Sequence, residues 1–340
     1  MRARAACRRA EGSPAYYRLD TVDVGPVGTP HGVAVGADGT LYVADTGGER
    51  IVARPRDGVA QTLATTPGRP YGVAVDRSGT IYAALRRMHE VIRVAPDGSS
   101  TAFAGTGIAG QSGGGGPAIA AETVAPNGVA VDAQGNVYIT QSAITSLFFG
   151  LGGPGPEERV RVVDQGGTIR TVAGSGAFGT DGVGGPALAA QLGAPYELAT
   201  TPDGSLLIGE VGYQRLLRVG SDGILYLLAG RPHVLTGAYS GDGGPAVAAR
   251  LYGAEGLGTD ADGKTFIADM RNSRVRLVDA LGSIITIVGT GESSGLPVAN
   301  GTPGVQASAG CPGLAVGPDG RLYYRDLATG PVRVLTLARY

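Results

Sequence analysis

The phrase PHGVAVGADGTLYVAD, from Pro30 to Asp45, decides how the rest of the chain is read. It opens on Pro-x-Gly, continues as a short apolar run, turns at Asp-x-Gly and ends in a second apolar run carrying a tyrosine. Short apolar or alternating runs bounded by Gly, Pro and Asp read as strands joined by turns. The phrase returns as PYGVAVDRSGTIYAAL (70–85), PNGVAVDAQGNVYITQ (126–141), PYELATTPDGSLLIGE (195–210) and AEGLGTDADGKTFIAD (254–269). A last copy, PGLAVGPDGRLYYRD (312–326), is one residue shorter.

Behind each copy comes a third run in which Arg alternates with apolar residues, such as Arg159-Val160-Arg161-Val162-Val163. A Gly-containing turn and a fourth run follow, such as Thr168-Ile169-Arg170-Thr171-Val172-Ala173. Four short strands per unit, repeated six times, predict an all-β chain: a six-bladed β-propeller of four-stranded antiparallel blades. The sixth copy runs out near Leu337 before a fourth strand. The alternating segment YRLDTVDV, Tyr17 to Val24, is expected to supply that outer strand and close the ring, so that no sheet edge stays free. The expected organisation is a disordered tail over residues 1–16 and one propeller domain over 17–340.

The phrase Phe266-Ile267-Ala268-Asp269, followed by Arg271-Asn272-Ser273-Arg274-Val275-Arg276, resembles the NHL repeat, which carries an Asp closing the second strand and an Arg opening the third. The resemblance extends over roughly residues 17–340. It implies a propeller, and binding modules more often than enzymes, without naming a partner.

Composition agrees with a packed repeat fold. Gly contributes 60 residues and Pro 21 of 340, a share that suits many tight turns, while 43% hydrophobic and only 17% charged residues leave enough apolar surface for a core. A net charge of −1 offers no footprint for nucleic acid. No stretch is long and apolar enough for a membrane span. Cys7 and Cys311 stand too far apart in pattern to suggest a metal site, and no disulfide is expected. The first residues, with Arg2, Arg4, Arg8 and Arg9 but no apolar run behind them, do not make a complete signal peptide. A monomer is expected, because a closed ring needs no partner to be stable.

Several motifs look chemical and read better as structure. Gly105-Thr106-Gly107-Ile108-Ala109-Gly110 and Gly174-Ser175-Gly176-Ala177-Phe178-Gly179 match G-x-G-x-x-G, but no long helix follows either, as phosphate binding requires. Three Gly-rich loops ending at Pro117-Ala118, Pro186-Ala187 and Pro245-Ala246 predict turns opening short helical segments. Asp181 and Asp242 are too few carboxylates for dedicated calcium sites. The equally spaced pairs Asp45 with Arg50, Glu210 with Arg215 and Asp269 with Arg274 are expected to tie strands two and three. Leu85, Gln141 and Pro331 break that rule in the other three copies.

The position after each leading Pro carries the functional expectation. Aligned, it reads His31, Tyr71, Asn127, Tyr196, Glu255 and Gly313, and Glu197 stands next to Tyr196 where four other copies have Gly. In a propeller these residues rim one mouth of the channel, where a repeating scaffold presents side chains that do not repeat. His31, Tyr71, Asn127, Tyr196, Glu197 and Glu255 are therefore the candidate ligand-binding residues. Phe148 and Phe149, in an insert between Ser142 and Glu158, join them as a lid or partner contact. His31, His89 and His233 are the residues that could hold zinc, although their spacing matches no motif.

Two functions follow. One is a binding or scaffold module recognising a protein, peptide or glycan at the rim. The other is a hydrolase or lyase acting on a small molecule at the same face, with Glu255, Glu197 and His31 as acid and base. The discriminating observation is whether those three share one buried pocket with shifted ionisation or stand apart in solvent.

Overall fold

The structure is a computed structural model that describes residues 17–142, 157–231, 237–292, 299–307, 313–325 and 332–337. It is an all-β propeller of four-stranded antiparallel blades. The described strands fall into six antiparallel sheets. The first runs through Pro30–Val35, Leu41–Asp45, Arg50–Arg54 and Gln61–Thr65 in that order from the axis outward. The others repeat this meander, their innermost strands being Val73–Val75, Val129–Val131, Pro195–Thr200, Ala254–Thr259 and Leu314–Val316.

Burial explains why the second strand is the clearest part of the repeat. Leu41–Asp45, Ile81–Leu85, Leu206–Glu210 and Thr265–Asp269 are buried at every position. Both faces of such a strand are covered by neighbouring sheets, so the sequence runs apolar instead of alternating. The outer strands Gln61–Thr65 and Ser100–Ala104 are mostly exposed.

The core lies between sheets. Ala44, Ile51 and Tyr42 of the first meet Ile81, Ala83 and Ile92 of the second. Leu198, Ile208 and Leu217 of the fourth meet Ala130 and Val160 of the third. Tyr323 and Val332, from the last sheet, pack with Val33, Leu41 and Val43 of the first. The N-terminal strand Tyr17–Val22 pairs antiparallel with Val332–Leu337, Tyr17 opposite Leu337 and Val22 opposite Val332.

The Gly-rich loops are clamps between sheets. Each carries a short 3-10 turn, Ala118–Ala120, Ala187–Ala189, Ala246–Ala248 or Gly304–Gln306. Just before it, the chain adds a bridge to the outer strand of the next sheet: Pro117 to Thr168, Pro186 to Ile224, Gly244–Pro245 to Ile284 and Ser283, and Thr302–Pro303 to Leu19 and Arg18. Asp242, in one of these loops, is held by Arg276 at 2.6 Å and by the Tyr239 hydroxyl at 2.7 Å.

The tie between strands two and three needs one correction. Asp45 pairs with Arg50 at 2.9 Å, and Glu210 with Arg215 in a fully buried contact. Asp269 does not take Arg274. Its partners are Arg276, at 3.3 Å, and the Asn272 amide, which donates to both carboxylate oxygens at 3.0 and 2.9 Å. Arg274 turns away and lays its guanidinium 3.7 Å from the centre of the Tyr239 ring. The acid has a second duty in all three sheets: it accepts a backbone N–H from the residue two before the inner strand, Gly28, Gly193 or Tyr252. The residue thus anchors the chain as it enters the channel wall.

Candidate functional site

The order of the inner strands around the axis is written in close contacts. A methyl on Gly32 would lie 2.5 Å from the Tyr71 carbonyl oxygen, one on Gly72 2.1 Å from that of Asn127, and one on Gly128 2.6 Å from that of Tyr196. Glycine at this position lets each sheet approach the rim residue of the next. Gly313 belongs to this series, since its methyl would meet the His31 carbonyl at 2.1 Å. This corrects the alignment: Leu314 pairs with Tyr324 as Val33 pairs with Val43, so Gly313 matches Gly32 and the rim position falls on Pro312, outside the described residues. Glu197 is the exception, a carboxylate where the other sheets need glycine.

These contacts bring the rim side chains together. His31 lies against Tyr71, ring centres 5.0 Å apart. Asn127 donates its amide to the Tyr196 carbonyl at 3.0 Å. Tyr71, Asn127, Tyr196 and Glu255 are all buried. Glu197 is half-buried, accepts the Leu198 N–H at 3.2 Å and lines a channel cavity of about 200 Å³.

At the centre stands a residue that the aligned rim does not contain. Arg86 is fully buried, on the 3-10 turn Arg86–Met88 that follows Ile81–Leu85. Its guanidinium carbon lies 4.2 Å from the Tyr71 ring centre and 5.2 Å from that of Tyr196, so it reaches from the second sheet toward the fourth. Arg325, also buried, adds a second positive charge near His31.

The electrostatics follow from this placement. Burial lifts the Glu197 carboxyl to about 8; Arg86 opposes the rise and the charge of Glu255 adds to it. Burial lifts Glu255 to about 7, against the attraction of Arg271, 3.9 Å away, and of Arg86. Burial and the two guanidiniums push His31 down to about 3, so its imidazole is neutral at physiological pH. The Tyr196 hydroxyl is raised by burial. Near pH 7 the site thus combines a fixed cation, a neutral imidazole and two carboxyls able to give or take a proton.

Not every candidate joins this group. His89, in left-handed backbone with φ of 55°, accepts the Ala125 N–H on Nδ1 at 3.0 Å, and its carbonyl accepts the Thr123 hydroxyl. That imidazole locks a loop. His233, Phe148 and Phe149 lie outside the described residues, as do Cys7 and Cys311. Among the described residues no three His, Cys, Asp or Glu side chains are grouped as metal ligands require, and no helix is long and apolar enough to cross a membrane.

With fold and rim in place, residues 28–53, the first inner strand through most of the third, match the family model described as NHL repeat. That stretch matches one NHL repeat, and the chain folds as a β-propeller. No curated protein matches it in sequence. Among solved structures this propeller is similar to a gluconolactonase of Xanthomonas campestris, with a TM-score of 0.63, 18% identity, and 94% of this chain and 90% of that one covered. It is similar to a streptogramin B lyase, with a TM-score of 0.58, 14% identity and 95% and 99% covered. It is also similar to an auxiliary nutrient binding protein of Bacteroides thetaiotaomicron, with a TM-score of 0.66, 12% identity and 93% and 71% covered. At these identities the likeness is one of fold.

Proposed function

We infer that this propeller is a small-molecule hydrolase or lyase whose active site is the channel mouth. One observation carries the reading: Glu197 and Glu255, from adjacent inner strands, both feel the Arg86 charge and both ionise near neutral pH. A carboxyl with a pKa close to the working pH is an efficient proton donor or acceptor. In this reading Glu197, facing the cavity, donates a proton to the leaving oxygen. Glu255 takes a proton from the nucleophile or substrate. Arg86 stabilises negative charge as it develops, in a site too buried for water to screen it. His31 and Asn127 orient the substrate, and the Tyr71 and Tyr196 rings hold the guanidinium. The fold neighbours named for lactonase and lyase activity support the reaction class. The six sheets are read as the blades of one ring closed by Tyr17–Val22, a single domain working as a monomer, and ring closure is what gathers these side chains at one opening.

A second reading has its own observation. Arg86 has no exposed surface, as a structural plug would have, and another fold neighbour is a binding protein. In that case the rim recognises a protein, peptide or glycan without turning it over.

The test is a panel of lactones and other cyclic esters assayed with the purified protein and with Glu197→Gln and Glu255→Gln. Turnover that falls by about 100-fold or more in both variants, at unchanged melting temperature, supports the enzyme. Binding without turnover, or turnover indifferent to both substitutions, favours the second reading.

A further inference from the structure

The third sheet departs from its neighbours at the mouth. Where the first, fourth and fifth sheets close their second strand with Asp45, Glu210 and Asp269, each accepting a backbone N–H, the third has Gln141. Gln141 and Asn127 flank one strand pairing, in which the Thr140 N–H donates to the Gly128 carbonyl at 3.0 Å and the Gly128 N–H to the Thr140 hydroxyl at 2.8 Å. The two residues therefore lie opposite each other at the mouth end of neighbouring strands. They are buried, with 3% of Asn127 and 1% of Gln141 exposed.

Each amide leaves one polar atom without a hydrogen bond. The Tyr196 carbonyl takes the Asn127 Nδ2 hydrogens and so fixes which end of that amide is free: Oδ1, an acceptor. On Gln141 the atom without a partner is Nε2, a donor. Burying such an atom unmatched is costly, and folded proteins keep few of them. Here there are two of opposite type, on residues that lie opposite each other across one strand pairing.

We propose that Asn127 Oδ1 and Gln141 Nε2 form a subsite for an uncharged ligand group that both donates and accepts a hydrogen bond, a hydroxyl or an amide. The proposal deepens the small-molecule reading above and rests on it. A hydroxyl oxygen accepts from Gln141 and gives its hydrogen to Asn127. An amide does the same with its C=O and N–H. A carboxylate satisfies Gln141 but sets its lone pairs against the Asn127 carbonyl, so this subsite rejects anions. The arrangement assigns the substrate an uncharged polar substituent on the third-sheet side.

The experiment needs no turnover, so it can fail while the enzyme reading stands, or succeed while that reading fails. Crystals of the full chain are soaked separately in glycerol, acetamide and acetate. Melting temperatures of the protein and of Gln141→Met are measured in the same three additives. The expected structures show a glycerol hydroxyl or the acetamide group bridging the two atoms, and the soak that succeeds identifies which of the two groups is preferred. Gln141→Met, freed of its unmatched donor, is expected to melt roughly 2 °C higher without additive and to lose the additive-specific shift. An undisplaced water molecule between the amides in every soak, acetate bound as well as the neutral probes, or equal shifts in both proteins overturns the proposal. If Gln141→Met fails to fold, the soaked crystals decide.

Discussion

The guanidinium of Arg86 rests 4.2 Å from the centre of the Tyr71 ring, and that contact turns a repeat position into the centre of the channel mouth. The ring sits at the start of one strand of its sheet and the arginine just past the end of the next. Closure of the sheet brings them together, and the fourth sheet adds Tyr196 from across the axis. Arg86→Met keeps the length and apolar contacts but removes the charge. Its loss is expected to move the Glu197 midpoint above about 8 and the His31 midpoint above about 3, since Arg86 opposes the upward displacement of Glu197 and helps drive the downward displacement of His31. Loss of the cation–π contacts costs about 1–2 kcal/mol of stability. Histidine and carboxyl NMR titrations of the variant check the direction; midpoints that stay in place remove Arg86 from the site.

Stability should depend on pH in a way set by these same groups. Glu197 and Glu255 have folded values of about 8 and about 7, above their ordinary 4.5. Their contribution is complete below pH 4.5 and is lost as pH rises through the folded values. His31 has a folded value of about 3, below 6.5, so its contribution is complete above pH 6.5 and fades as pH falls toward 3. Each group contributes a slope of at most about 1.4 kcal/mol per pH unit. Urea unfolding at pH 5, 6.5 and 8.5 should therefore show a decline toward high pH that Glu197→Gln with Glu255→Gln flattens. Parallel pH curves for the two proteins are the contrary outcome.

The rearranged ion pair in the fifth sheet gives a direct contrast between two arginines. Arg276 is fully buried and bonded to Asp269 and Asp242, so Arg276→Met should cost about 3 kcal/mol or more, by leaving the buried Asp269 carboxylate without its cation. Arg274 contributes its stacking on Tyr239, and Arg274→Met should cost about 1 kcal/mol. Chemical denaturation of the two variants checks the order; the reverse order would restore the pairing of Asp269 with Arg274.

Close approach of the inner strands makes a further prediction. Gly72→Ala places a methyl 2.1 Å from the Asn127 carbonyl oxygen, a backbone atom that cannot step aside without moving the sheet. The cost is expected at about 1–3 kcal/mol. By contrast Ala194, two residues before Tyr196, already holds φ of 58°, and Ala194→Gly should raise stability by about 1 kcal/mol. Thermal unfolding of the pair tests whether the mouth is as tightly set as these contacts describe.

Much of this architecture is legible in the sequence for a physical reason. Second strands such as Ile81–Leu85 are buried on both faces, so every residue is constrained and the copies stay alike. The rim residues could be found because they are the middle residue of a recurring Pro-x-Gly whose glycine is needed for contact with the next sheet. Arg86 stands one residue past the repeated phrase, aligned with Thr46, Ser142, Val211 and Met270. Arg325 stands inside the shortened last copy, and the register of that sheet aligns it with Ala44, Ala84, Thr140, Gly209 and Ala268. A lone guanidinium among small or apolar residues is a visible signal. The exchange of Arg274 for Arg276 had no such signal, since it depends on where the Tyr239 ring and the Asn272 amide lie. The unmatched atoms of Asn127 and Gln141 are likewise a property of assembled geometry.

The central claim is that two carboxyls at the mouth change charge near neutral pH. The most direct measurement is a carboxyl ¹³C NMR titration, with Glu197→Gln and Glu255→Gln used to identify the two resonances. The account predicts midpoints of about 8 for Glu197 and about 7 for Glu255. Both titrating near the ordinary 4.5 would show two solvated carboxylates and contradict it.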